Sequence, residues 1–379
     1  MKHLLLLASA AFVLSACESY PTPSATNSAK AMSTGVTPMT SAPLDMSAPL
    51  TRIAFGSCLS ETEDQSIWNT LGAENPDIFL FTGDNVYGDT YTSDPRWTDP
   101  SMPKMRESYN TLASVPEFTN FRKDVPLLTT WDDHDYGAND GGAYYPFKNL
   151  AEQIYLDAWD VPASDERRAR EGVHTSKIIG PVGQRVQIIM LDTRFFRTNL
   201  QAATRDQYGE PGTERYVPIE GGHGTMLGEA QWEWLADELQ KPAELRLIVS
   251  SIQVIADGHG WEAWRTMPAE REKFYNLLDE SDAEGIILIS GDRHSGSIYR
   301  RDDVLDYPLY EVTASSLNRP ASAFRARSGE TRVEDGPYRL HTMQFEVNYG
   351  LIDVDWAART AELQVVSPGA GTFTNRFDF

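Results

Sequence analysis

The chain has 379 residues, 41% of them apolar, and sets 33 Lys and Arg against 55 Asp and Glu for a formal net charge of −22. That length allows one large domain or two modest ones, and the apolar fraction is ordinary for a protein with a buried core. The charge argues against a nucleic-acid partner, which needs clustered Lys and Arg that the sequence lacks, and leaves any anionic substrate to be drawn by local cations.

The N-terminus reads MKHLLLLASAAFVLSAC, with one basic residue after the start, an apolar run over 4–14 and small residues before Cys17. The run is too short to span a bilayer and suits the apolar region of a secretory signal. Leu14-Ser15-Ala16-Cys17 resembles a bacterial lipobox, which implies cleavage before Cys17, its lipidation, and an anchor to the membrane in place of a span; an ordinary signal peptide ending near a cysteine is the alternative. Residues 18–50 are rich in Ser, Thr, Pro, Ala and Met without apolar periodicity and are expected to form a flexible tether. By resemblance to lipoprotein sorting signals, Glu18 favours the outer membrane, with the protein exported to the periplasm or the cell surface. Once Cys17 carries lipid, Cys58 is a lone thiol, either a small buried residue or a metal ligand.

From residue 51 onward the sequence is expected to form one catalytic domain. Short apolar or β-branched runs predict strands at 52–55, 78–82, 126–130, 186–191, 245–251 and 286–290. Helical patterns fall at 64–73, 147–159, 228–240 and 269–281, so the class is α/β with buried strands. Residues 198–226, with Gly-Glu-Pro-Gly and Gly-Gly-His-Gly, form a long irregular insertion of the kind that often carries function. Beyond Arg301 strands are predicted at 309–313, 343–347, 351–354 and 362–366, with a hairpin around Asn348-Tyr349-Gly350.

Four of the predicted strands run into polar clusters: Gly56-Ser57-Cys58, Gly83-Asp84-Asn85-Val86-Tyr87, Trp131-Asp132-Asp133-His134-Asp135 and Gly291-Asp292-Arg293-His294. Carboxyl ends of strands are where open α/β sheets bind ligands. The order resembles the metallophosphoesterase core, whose usual motifs are Asp-x-His/Gly, Gly-Asp, Gly-Asn-His-Asp/Glu, a distant His and Gly-His-x-His. Here Cys58 stands where an aspartate is usual, Tyr87 follows Asp84 by three as in the purple acid phosphatases, and Asp292 replaces a histidine. That combination, with Leu191-Asp192-Thr193-Arg194, resembles the alkaline phosphatase D (PhoD-like) family over about residues 52–300. It resembles a short form, expected to lack the N-terminal β-domain that long members carry ahead of the catalytic core. The resemblance implies a four-layer α/β/β/α metallophosphoesterase sandwich of two mixed sheets.

The donors sort into two pockets. Cys58, Asp84, Tyr87 and His294 suit a redox-capable transition metal, and the resemblance implies Fe(3+). The oxygens of Asp84, Asp133 and Asp292, joined by Asn139 or the Gln253 amide, suit a hard cation, and the resemblance implies Ca(2+). Asp84 would bridge this dinuclear centre, and alignment of the following histidine favours Asp133 over Asp132. Such a pair acidifies bound water and neutralises phosphate oxygens during in-line displacement. His134 is the candidate proton donor to the leaving group, oriented by Asp135 or a backbone carbonyl, and Arg194 is the candidate phosphate clamp. His174, His223, His259 and His341 have no assigned role, and Trp261 and Trp264 either wall a groove or simply pack.

The expected protein is a lipid-anchored hydrolase of phosphate mono- and diesters. Its alternatives are a phosphodiesterase devoted to phospholipid or cell-wall polymer, and a noncatalytic metal-binding surface lipoprotein. The insertion at 198–226 is the candidate cap. Neither a G-x-S-x-G elbow nor a Walker loop is present.

Overall fold

A computed structural model of the chain describes residues 34–89, 99–210 and 212–379. Cys17, its lipobox and the first part of the expected tether lie outside the described residues. In chain order the strands are β1 (Arg52–Gly56), β2 (Ile78–Thr82), β3 (Leu127–Thr130), β4 (Thr175–Ile179), β5 (Val186–Met190), β6 (Gln201–Ala202), β7 (Tyr216–Val217), β8 (Leu245–Val249), β9 (Ile286–Ser290), β10 (Gly296–Arg301), β11 (Leu309–Ala314), β12 (Tyr349–Asp355), β13 (Thr360–Ser367) and β14 (Gly371–Asp378). The helices are α1 (Ile67–Ala73), α2 (Pro103–Ser114), α3 (Pro116–Asp124), α4 (Asp133–Tyr136), α5 (Lys148–Ala158), α6 (Glu229–Leu239), α7 (Pro268–Glu280) and α8 (Ala321–Ser328).

Two six-stranded mixed sheets carry the fold, in the orders β14-β13-β12-β1-β2-β3 and β10-β11-β9-β8-β5-β4. Strands β1 to β3 are parallel, as are β11, β9, β8 and β5, and the remaining pairings are antiparallel. Side chains alternate across each strand, so every central strand serves two cores. Ile53, Phe55, Ile78 and Leu80 point inward to meet Leu247, Val249, Ile287 and Ile289 of the opposite sheet. Ala54, Phe79 and Phe81 point outward beneath Trp68, Leu112, Phe118 and Ile154 of the first helical layer. Ile189, Ile248 and Leu288 do the same beneath Leu235, Phe274 and Leu278. The layers are therefore α/β/β/α, as the motif order implied.

Two local expectations change. Residues 34–50 are not a free tether: Met39 and Leu50 are buried, the Met39 amide donates to the Ala158 carbonyl (2.8 Å), and the Ala42 amide donates to that of Arg122 (2.7 Å). Two apolar anchors spaced along a polar segment are enough to hold it on the helical layer, although they show no period. No hairpin turns at Asn348-Tyr349-Gly350, and 343–347 makes only an isolated bridge from Gln344 to Gly296. Gly350 lies inside β12 opposite Phe55, where a Cβ would meet the Phe55 ring at 2.0 Å. It is a close-approach glycine and not a turn glycine.

Candidate metal centre

The carboxyl ends of β1, β2 and β3 in one sheet meet those of β8 and β9 in the other. Two glycines allow the close approach. A Cβ on Gly83, which has φ +109°, would meet the Asp132 Cβ at 2.5 Å, and one on Gly291 would meet the Ser57 hydroxyl at 2.5 Å. Just beyond these strand ends, Cys58, Asp84, Asp292 and His294 all adopt positive φ, between 49° and 69°. Non-glycine residues occupy that region at a cost and persist there only where their surroundings over-determine them, typically at functional sites.

Four side chains converge on one point. The Asp84 Oδ2 lies 3.4 Å from the Cys58 Sγ and 3.4 Å from the Tyr87 hydroxyl, which is itself 3.4 Å from the His294 Nε2. Donors sharing an ion at bond lengths of about 2.0–2.3 Å sit roughly 3–4 Å apart. The His294 Nδ1 bonds the Arg319 carbonyl (2.5 Å), which turns the Nε2 lone pair toward the cluster. Burial keeps this imidazole neutral, pulling its pKa down to about 3.

A second pocket adjoins the first. Ligand atoms of Asp132, Asp133 and Asp292 lie within 4.8 Å of one another, as do those of Asp84, Asp133 and His134. Asp133 thus belongs with both Asp84 and Asp292. Its Oδ2 accepts the Asp140 amide (2.7 Å), while its Oδ1 and the Asp132 Oδ2 are buried with no hydrogen-bond partner. Orphaned buried carboxylate oxygens require an explanation, and a cation supplies one.

The electrostatics agree. Burial first, then the charges of Asp133, Asp132 and Asp135, push the Asp84 carboxyl well above the usual range against the pull of His134. Burial and the Asp132 and Glu262 charges do the same to Asp292, and burial with the Asp84 charge raises the Cys58 thiol. Such a cluster cannot ionise together unaided, whereas bound cations invert the balance. The residues present therefore fit metal ions.

The model of the PhoD-like phosphatase family matches residues 53–363. The chain belongs to the PhoD-like phosphatase family. Members are metal-dependent phosphoesterases, which accords with the acidic and histidine groups assembled here. Among solved structures the chain is similar to that of PhoD, at 15% identity and a TM-score of 0.63, over 89% of this chain and 71% of that one. It is also similar to GAP50, the anchor in the inner membrane complex of Plasmodium, at 12% identity and a TM-score of 0.51, over 87% and 89%. These two likenesses show the fold. No curated protein sequence matches the chain.

In this PhoD-like centre His134 packs against Tyr87 with the rings tilted by 36° and their centroids 4.2 Å apart, and its Nδ1 meets the Asp89 Oδ1 at 2.9 Å. Burial opposes its charge, but Asp133, Asp84 and Asp89 hold its pKa well above the ordinary histidine value. Asp89, not Asp135, orients the ring; Asp135 instead accepts the Asp132 amide (2.6 Å) and bonds Asn85.

Arg194, the clamp candidate, is turned onto carboxylates. It is fully buried, its Nε 2.7 Å from the Asp132 Oδ1 and its Nη2 2.5 Å from Glu262, so the fork holds Asp132 from behind. Gln253 is diverted as well: its amide oxygen faces the His259 Nε2 (2.9 Å) and its nitrogen faces Tyr299 and Thr313. Asn139 is exposed with nothing among the described residues to fix its amide, and its neighbour Asp140 turns inward instead.

The insertion docks on this side. Arg215 pairs with Asp140 (2.8 Å), the Tyr216 hydroxyl donates to Asp140 (2.6 Å), and Arg332 pairs with the buried Glu214 (2.6 Å). Trp264 packs in the core against Phe274, whereas Trp261 lies half-buried under the Arg293 guanidinium. Asp89, Glu262 and Arg319 escaped the sequence reading. Of the three only Asp89, two residues past the Gly-Asp-x-x-Tyr motif, had a motif beside it.

Proposed function

We propose that the protein is an exported alkaline phosphatase acting on phosphate monoesters and diesters, tethered to the outer membrane by lipid on Cys17. Its dinuclear centre would hold Fe(3+) between Cys58, Asp84, Tyr87 and His294, and Ca(2+) among Asp84, Asp133 and Asp292. The observation carrying this reading is the meeting of two unlike donor groups at Asp84: the Cys58 thiol, Tyr87 phenol and His294 imidazole gather on one side, and on the other Asp84 adjoins Asp133, which also groups with Asp132 and Asp292. Soft and borderline donors select transition metals and all-oxygen sets select hard cations. The signal-like run at 4–14 and the lipobox-like Leu14-Ser15-Ala16-Cys17 support export and anchoring.

When bound, the cations supply neutralisation of phosphate oxygens and acidification of water. The chain's own residues do the rest. Asp89 fixes the His134 ring and its charged form, which suits proton donation to the departing ester oxygen. Arg194 and Ser251 hold the Asp132 Oδ1, leaving the orphaned Oδ2 to the second pocket.

The test is hydrolysis of a chromogenic phosphate monoester and diester at alkaline pH by the purified full chain, with and without added calcium. Calcium-dependent turnover that disappears in Asp84→Asn is expected. Absence of turnover on both esters by a chain with two bound metals would overturn the proposal in favour of a noncatalytic metal-binding lipoprotein.

A further inference from the structure

The arginines around the centre are almost all spent on carboxylates. Arg194 and Arg197 pair with Glu262, Arg215 with Asp140 and Arg293 with Glu334. Arg319 differs: among the described residues it forms no ion pair, and its Nε is buried without a hydrogen-bond partner. Its guanidinium carbon lies 4.0 Å from the centroid of the Tyr87 ring and 5.5 Å from that of Phe324.

The backbone beneath this side chain is held from three directions. Its own carbonyl takes the His294 Nδ1, the Asn318 side chain accepts the Ser60 amide (2.7 Å) and donates to the Ser60 carbonyl (2.9 Å), and Pro320 restricts the next φ. A guanidinium stacked on an aromatic face keeps its in-plane N–H donors available. Tyr87 directs its hydroxyl at Asp84 and His294, so these donors border the cluster where a phosphate would sit.

We propose that Arg319 is a substrate-binding residue that donates N–H bonds to non-bridging oxygens of the phosphate ester on the Cys58 and Tyr87 side. It thereby fills the role for which the sequence offered Arg194. The inference rests on the phosphoesterase reading. In a chain with a net charge of −22, one guanidinium not neutralised by a described carboxylate supplies the local attraction that an anionic ester needs. Charge-assisted, planar contacts of this type are the strong ones for phosphate.

The test compares wild type with Arg319→Met, which keeps bulk over Tyr87, and Arg319→Lys, which keeps charge without the fork. Bound metal is measured by elemental analysis, KM and kcat on a chromogenic monoester, and Kd for inorganic phosphate by calorimetry. Unchanged metal content is expected, with KM and the phosphate Kd raised about 10- to 100-fold in Arg319→Met and less in Arg319→Lys. Unchanged KM and phosphate affinity would overturn the inference. So would loss of metal in both variants, because the side chain would then act only by supporting Tyr87. A wild-type chain that bound inorganic phosphate through Arg319 yet hydrolysed no ester would sink the phosphoesterase reading while upholding this contact.

Discussion

Arg194→Met separates a buried scaffold from a substrate clamp. The wild-type guanidinium has no exposed atom and lies between Asp132 and Glu262, whose side chains are each only 1% exposed. Removing it leaves two carboxylates buried with less compensation, a change that costs about 3–5 kcal/mol. Unfolding entropy near 2.1 cal/mol/K per residue, taken over the packed unit Thr34–Phe379, converts this to a fall in Tm of about 4–7 °C. Calorimetry on metal-loaded and chelator-treated protein measures it, and steady-state kinetics on the same samples report KM. A Tm within about 1 °C of wild type in both samples, together with a KM raised tenfold or more, would refute the scaffold role.

Three further changes probe other layers. Gly350→Ala forces a methyl into the Phe55 ring within a paired strand and is expected to cost at least about 1–3 kcal/mol by urea denaturation, with partial rescue by Phe55→Leu. Asp89→Asn weakens the partner that orients and charges His134; kcat is expected to fall about tenfold or more on alkyl phosphates and much less on nitrophenyl esters, whose leaving groups need little protonation. Met39→Asp buries a charge under the 34–50 segment and is expected to cost at least about 2 kcal/mol of unfolding free energy by urea denaturation, whereas a free tether would show no change.

The central strands were legible because both faces are buried. Ile78–Thr82 and Ile286–Ser290 are each four apolar residues closed by one hydroxyl residue, and their observed bounds coincide with those read from the sequence. Edge strands gave weaker signals: β4 reads TSKII with a half-buried middle, and β14 reads GTFTNRFD with most side chains in solvent. Helices α2 and α3 were missed because charged and polar residues dilute their apolar stripe, although Pro103 and Pro116 each open a first turn.

At the centre, the strand-end residues whose side chains converge could be picked out because their order and offsets are local in sequence. The direction in which Arg194 points is not local, since it depends on how the segment after β5 faces Glu262, some 70 residues further on. The surroundings of Gln253 are not local either, since Tyr299 and Thr313, which face its amide nitrogen, lie 46 and 60 residues further on. Arg319 belongs to a connection after β11 without a motif, and only the folded chain lays it over Tyr87.

The proposed centre holds two unlike cations that share Asp84. Elemental analysis of the purified chain after exhaustive dialysis tests it most directly, comparing wild type with Asp84→Ala and Cys58→Ala. Wild type is expected to retain one transition metal and one hard cation per chain, Asp84→Ala to lose both, and Cys58→Ala to lose the transition metal while keeping the other. A metal-free wild type, or an Asp84→Ala chain that keeps both ions, would contradict it.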